Sequence, residues 1–249
     1  MNILVLLKAV ADSEANIKPS TDGKAVHLDG VTFVLNPFDE FAVEEALKLR
    51  DAAGSGEVVA ISCGGDEVPK VLRTALAMGV DRGVHVKGSV SFDALATARA
   101  LATVVKSQTY DLILCGKSAI DQDNHAVGMM VAELLDLPST SVVVKLEHKD
   151  SKIIAEREVE GGIMVVELPL PCVVAAQKGL NEPRYASLKG IMAAKKKPID
   201  EVAADFGDIQ VEVMQVLPKP DRQPGQIIGN GPDAVPALIK KLREEAKVL

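Results

Sequence analysis

Short runs of aliphatic residues alternate along the chain with longer segments whose apolar positions recur at helical spacing. Ile3 to Leu7, Val58 to Ser62, Val84 to Val86 and Leu112 to Cys115 are dominated by aliphatic residues, as expected for strands covered on both faces. The clearest helix opens at Asn36-Pro37-Phe38-Asp39, where Asn suits the cap, Pro the first helical position and Asp the positive helix end. Phe38, Phe41, Ala42, Ala46 and Leu49 continue it as an apolar stripe. Further helices are predicted over Val68 to Ala77, closed by Gly79, over Phe92 to Val105, and over Ala126 to Leu135, stopped near Pro138. The alternation predicts an α/β fold: a mostly parallel, twisted sheet with flanking helices.

After Pro138 the pattern changes. Ser141 to Leu146, Lys152 to Val159, Ile163 to Leu168 and Cys172 to Ala176 read as consecutive strands, with Gly161-Gly162 turning a hairpin, so an antiparallel extension of the sheet is expected. Beyond Lys195-Lys196-Lys197-Pro198 strong periodicity is lost, and Pro218, Pro220, Pro224 and Pro232 precede a last helix from about Ala234. The expected organisation is an α/β domain over residues 1–190 and an extended C-terminal arm, residues 191–249, that needs a partner.

Composition narrows the function classes. The 249 residues carry 28 Lys and Arg against 35 Asp and Glu, a net charge of -7, which removes the usual drive toward nucleic acid and anionic lipid. Five Phe, two Tyr and no Trp leave an aliphatic core and few platforms for stacking bases. Cys63, Cys115 and Cys172 are far apart with no CxxC pair, so neither a zinc ribbon nor a disulfide framework is indicated, and a reducing compartment is expected. Charges interrupt every apolar run before spanning length, so no membrane insertion is expected. The apolar start at Met1 is too brief for a leader and reads as a buried strand, which favours bacterial cytoplasm, or the mitochondrial matrix for a eukaryotic chain.

Ligands of open α/β sheets settle beyond the carboxyl ends of strands. Three such ends carry polar or glycine residues: Lys8-Ala9, Ser62-Cys63-Gly64-Gly65, and the loop of Gly116, Lys117, Ser118, Ala119, Ile120, Asp121, Gln122, Asp123, Asn124, His125, Ala126 and Val127. The loop looks like the end of a P-loop, yet Asp111 stands where the first glycine is required, and no G-x-G-x-x-G follows the first strand. What remains is a polar loop entering a helix, able to offer backbone N–H groups to a phosphate. Asp121 and Asp123 lie close enough for a metal, but caps and ribose contacts account for them as well.

Catalytic constellations are weak. His27, His85, His125 and His148 are scattered, with no G-x-S-x-G elbow and no H-E-x-x-H helix. Lys195-Lys196-Lys197 in an acidic chain reads as a docking surface.

Leu180-Asn181-Glu182-Pro183-Arg184-Tyr185-Ala186-Ser187-Leu188, followed by Ile191-Met192-Ala193-Ala194-Lys195-Lys196-Lys197, closely resembles the beta subunits of electron transfer flavoproteins. Asn36-Pro37-Phe38 with Ala42-Val43-Glu44-Glu45-Ala46, Arg73 to Gly79 with Asp81-Arg82-Gly83, and Arg157 to Gly162 agree in order and spacing. Met164-Val165 depart from the acidic residue and Thr common in that family, and the C-terminal arm matches poorly.

The resemblance implies a heterodimeric electron carrier rather than a substrate-turnover enzyme. Such carriers pass electrons from flavin dehydrogenases, such as acyl-CoA dehydrogenases, toward a membrane quinone reductase. It implies redox FAD held mainly by the alpha subunit, and a structural AMP in this chain touched by Leu6, Asn36, Pro37, Phe38, Asp39, Cys63 and the loop Gly116 to Val127. It also implies that Glu158 docks the flavin domain and that Leu188 anchors the dehydrogenase, with Lys195, Lys196 and Lys197 adjoining. The arm would pack on the alpha subunit. Two alternatives stand beside this reading: an electron-bifurcating relative with a second FAD in place of AMP, and a stand-alone ATP-binding α/β protein.

Overall fold

A computed structural model describes residues 1–88, 93–218, 220–221 and 224–249. In chain order its elements are β1 (Ile3–Leu7), β2 (Ala9–Ala11), β3 (Lys18–Pro19), β4 (Val26–His27), β5 (Phe33–Leu35), α1 (Pro37–Ala53), β6 (Val58–Gly64), α2 (Val68–Met78), β7 (Arg82–Lys87), α3 (Ala94–Val105), β8 (Leu112–Gly116), α4 (Val127–Leu134), β9 (Ser139–Lys149), β10 (Lys152–Val159), β11 (Gly162–Pro169), β12 (Cys172–Ala176), α5 (Leu188–Ala194), β13 (Ile199–Ala203) and α6 (Val235–Glu244). The expected helix start at Phe92 lies outside the described residues.

Nine strands form one sheet in the order β11-β10-β9-β12-β8-β1-β6-β7-β13, and only β10 runs against the rest. Alternation along β1 divides the core. Ile3, Val5 and Leu7 pack with α1 and α2, whereas Leu4 and Leu6 face α3 and α4. Both faces are therefore covered, which is why the central strands are apolar at every position. Crossovers through α1 and α2 carry the chain from β1 outward through β6 to β7, and one through α3 returns it to β8 on the other flank of β1. The order reverses at β1 and β8, opening a crevice at their carboxyl ends.

The expected strands and helices are present, with one change of topology. Cys172 to Ala176 does not belong to the antiparallel extension: β12 is inserted between β8 and β9 and is parallel to both. Its five residues are buried on both faces, and such a strand gains most from an interior position. The extension is β9, β10 and β11, joined by hairpins. Two small antiparallel pairs, β2 with β5 and β3 with β4, form a flap between β1 and α1 that hydrophobic patterning misses because each strand has only two or three residues.

The sheet-bearing unit spans Met1–Val216. It includes two elements past residue 190: α5, and β13, which pairs with β7 in parallel. Asp93 ties the following segment down, its buried carboxylate accepting the N–H groups of Ala96 (2.9 Å), Gln210 (2.7 Å) and Val211 (3.2 Å). Those bonds, led by Ala96 and Gln210, hold its carboxyl below the usual range. A second unit, Leu217–Leu249, contains the amphipathic α6 with Val235, Leu238 and Ile239 exposed.

Leu114, fully buried in β8 at the centre of the sheet, is a direct probe of this core. Leu114→Ala is expected to cost about 3 kcal/mol, by lost burial and a residual cavity, read as a lower urea midpoint.

Candidate functional site

A cleft of about 920 Å³ opens beyond the carboxyl ends of β1, β6 and β8, at the crevice where strand order reverses. Its floor includes Leu6, Lys8, Cys63, Gly64, Cys115 and Gly116. One wall is the loop after β8, and the other is the flap, which contributes Val26, Leu28 and Phe33. A slot with one apolar wall and one backbone-rich polar wall suits a ligand with a flat ring and an anionic end.

Two side chains from the start of α1 build the cleft. Asn36 is fully buried at the cap position of α1, but its amide does not cap the helix. It donates to the Ser118 carbonyl at 2.8 Å and accepts the Ile120 N–H at 3.2 Å, pinning the β8 loop. Asp39 faces neither solvent nor the helix end. Its carboxylate oxygens accept the N–H of Lys8 at 2.8 Å and of Gly116 at 2.9 Å, tying the end of β1 to the end of β8. Burial pushes its carboxyl up to about 7, partly offset by those two N–H groups. Gly116 is required there, because a Cβ would lie 2.5 Å from an Asp39 oxygen and 2.7 Å from the Phe38 backbone.

The rest of the loop is held by its own side chains. Lys8 pairs with Asp121 at 2.7 Å, and the Ser118 hydroxyl donates to Asp123 at 2.7 Å. Asp123 and His125 both adopt left-handed backbone, so the chain zigzags: Gln122 and Asn124 line the cleft while Asp123 and His125 do not. Beyond the zigzag, the first-turn N–H groups of α4 at Val127, Gly128 and Met129 have no acceptor among the described residues. They are an opening for a phosphate.

Of the residues expected in the site, Leu6, Asn36, Asp39, Cys63, Gly116 to Gln122, Asn124, Ala126 and Val127 converge on the cleft. Pro37, Phe38, Asp123 and His125 lie outside its walls; Phe38 instead supports the Lys117 ammonium, 4.8 Å above its ring. Asp93, Thr97 and the flap residues were not legible as wall residues, since neither carries a local motif. Among the described residues no cluster of three His, Cys, Asp or Glu is placed to hold a metal. The Cys63 thiol, pushed up to about 11 by burial and then by Glu67, stays protonated and is a poor nucleophile.

The expected partner-facing residues lie elsewhere. Glu158 is exposed on β10 and accepts a hydrogen bond from Gln177 at 3.0 Å. Leu188, the first residue of α5, is 79% exposed, with Tyr185, Ile191 and Met192 also exposed nearby in sequence. Lys195 and Lys196 are exposed, but Lys197 is not part of that charged surface. Its ammonium turns inward to the carbonyls of Leu76 (3.1 Å) and Val80 (2.5 Å), because the last turn of α2 leaves carbonyls that need a donor.

Among the described residues, no helix is long and apolar enough to cross a membrane. The family model for the electron transfer flavoprotein domain matches residues 25–206. Over the full chain, the sequence is 42% identical to an electron transfer flavoprotein subunit beta from Bradyrhizobium diazoefficiens, covering all of both chains. Proteins of the same description from Bacillus subtilis and Mus musculus are each 40% identical, covering all of this chain and 100% and 99% of their own length.

The raised Asp39 carboxyl makes a signed prediction. Between its ordinary value of 3.8 and about 7 the folded chain binds more protons at this site than the unfolded chain, so this contribution to unfolding free energy falls as pH rises through that window. Urea unfolding across the window should show wild type losing stability relative to Asp39→Asn, which cannot titrate. A difference that stays flat, or grows with pH, would contradict the assignment.

Proposed function

Because the chain belongs to the electron transfer flavoprotein family, as a beta subunit, we propose that it works as half of a heterodimeric electron carrier whose cleft holds AMP. The observation that carries the AMP reading is the cleft itself, lined both by unused N–H groups at the start of α4 and by an apolar flap. The residues fit the group. Val127 and Gly128 would take the phosphate through their N–H groups, and Val26, Leu28, Phe33 and Ile120 would cover the base. Lys8 and Lys117 supply positive charge without being needed for chemistry. AMP in this role is structural: it fills the crevice and fixes the loop that Asn36 pins.

FAD, held mainly by the alpha subunit, supplies the reversible uptake and release of electrons when bound. This chain frames it. Glu158, exposed on β10, docks the flavin domain, and the exposed apolar side chains of the Leu217–Leu249 unit pack on the alpha subunit. Leu188 is the anchor for a donor such as an acyl-CoA dehydrogenase, an exposed apolar knob with Tyr185, Ile191 and Met192 exposed nearby in sequence. Lys195 and Lys196 speed encounter more than they add affinity. Electrons leave toward a membrane quinone reductase, in bacterial cytoplasm or, for a eukaryotic chain, the mitochondrial matrix.

Nucleotide released on denaturing the purified heterodimer should be one AMP per FAD; two FAD and no AMP would mean a bifurcating carrier, and no adenine compound beyond FAD would end the AMP reading. Ile120→Glu, which sets a carboxylate beside the place proposed for the base, should lower AMP content several-fold and leave FAD content unchanged. Leu188→Ala should raise the KM of an acyl-CoA dehydrogenase for the carrier about tenfold, with AMP and FAD retained, as expected for loss of an interface anchor.

A further inference from the structure

The segment that presents Tyr185 and Leu188 has no regular structure between β12 and α5, yet it is fixed at both ends. At its entry, two adjacent carboxylates of α1, Glu44 (6% exposed) and Glu45 (3% exposed), are buried although they sit among core positions. Each is bonded by this segment, and Glu45 also pairs with Lys48 at 3.0 Å. The Arg184 guanidinium grips Glu44 with two prongs, Nε to Oε2 at 2.7 Å and Nη2 to Oε1 at 2.9 Å, and the Arg184 N–H adds a third bond at 3.1 Å. Asn181 donates to Glu45 at 2.9 Å and to the Phe41 carbonyl at 3.0 Å. At the exit, the Arg73 guanidinium of α2 holds the carbonyls of Ala194 and Lys197, and Gly190 lets α5 approach the Ala77 carbonyl more closely than any side chain would permit.

A buried carboxylate is costly unless it is paired and hydrogen-bonded, and Glu44 is met by three hydrogen bonds from a single residue. Arg184 lies one residue before Tyr185, which is 98% exposed, and four before Leu188. We propose that the Glu44–Arg184 pair is the positioning device of the docking surface: it presets the backbone from which Tyr185 and Leu188 project, so that the dehydrogenase meets an ordered knob and does not have to order a loop on binding. Glu44 and Arg184 are positioning residues and need not touch the partner. The inference rests on the docking role given to Leu188 above.

The test uses the full heterodimer with its FAD, the donor being an acyl-CoA dehydrogenase, and compares Glu44→Gln, Arg184→Lys and Leu188→Ala. Arg184→Lys keeps the charge and the backbone N–H bond but loses the two-pronged grip, and it carries the test if Glu44→Gln fails to assemble. Both pair variants should raise KM for the carrier about tenfold, leave kcat and the FAD and AMP content unchanged, and speed amide hydrogen exchange of residues 181–188, whereas Leu188→Ala should raise KM without changing that exchange. Faster exchange with unchanged KM in the pair variants, while Leu188→Ala raises KM, overturns the positioning role alone. An unchanged KM in all three overturns the docking reading beneath it. Unchanged exchange in the pair variants shows that the grip does not order the segment and overturns the proposal directly.

Discussion

The cleft depends on a knot of buried hydrogen bonds at the start of α1. Asp39 ties the ends of β1 and β8, and Asn36, three residues earlier, pins the loop that follows β8. Parallel strands leave their terminal N–H groups unpaired at the sheet edge, and the loops beyond them lack a ladder of their own. Two side chains from one helical turn satisfy both needs. The cost is a carboxyl group held in a poorly solvated place, which is why its ionisation is resisted. Without that knot, the loop would have no fixed path into α4.

The same helix serves a second surface. One turn beyond Asp39, Glu44 and Glu45 receive Arg184 and Asn181, so α1 positions the cleft wall with its first turn and the Tyr185–Leu188 segment with its middle. Helix α2 holds the far end of that segment through Arg73, while its own last carbonyls are closed by Lys197. A loop with no internal secondary structure is thereby given the rigidity of the two helices under it. This arrangement concentrates buried charge on the layer of α1 and α2. The opposite layer, α3 and α4, is mostly aliphatic apart from the Asp93 cap.

The chain's cleft is lined by groups suited to holding a ligand. Its cysteine thiols are raised by burial, Cys63 to about 11 and Cys172 to about 12, and its cleft is built from backbone, amide and paired charges. Such groups bind and orient. The exposed aliphatic side chains at Ile163, Met164 and Val165 on β11, an edge strand, and those on α6 belong to a chain with surface still to bury.

Local pattern determined most of the fold. Strands β1, β10 and β12 begin and end where their aliphatic or alternating runs do, and α1 starts at Asn36-Pro37, because burial on two faces or one writes a period into the sequence. That the loop from Gly116 to Val127 walls a cleft at the strand ends was legible from its glycine and polar residues after a buried strand, and the LNEPRY segment carried the family. Tertiary structure alone decided the rest, since none of it has a local period. Pairing partners set the place of β12 inside the sheet, and β13 finds β7 only after 111 intervening residues. Asn36 and Asp39 read as a helix cap and a dipole partner, yet buried N–H and carbonyl groups arriving from residues 8 and 116–120 claim them more strongly than the exposed helix end does. Lys197 read as one of three surface lysines until the carbonyls at the end of α2 drew it inward. A side chain's role is set by which unsatisfied groups the fold brings within reach, and sequence neighbours do not reveal them.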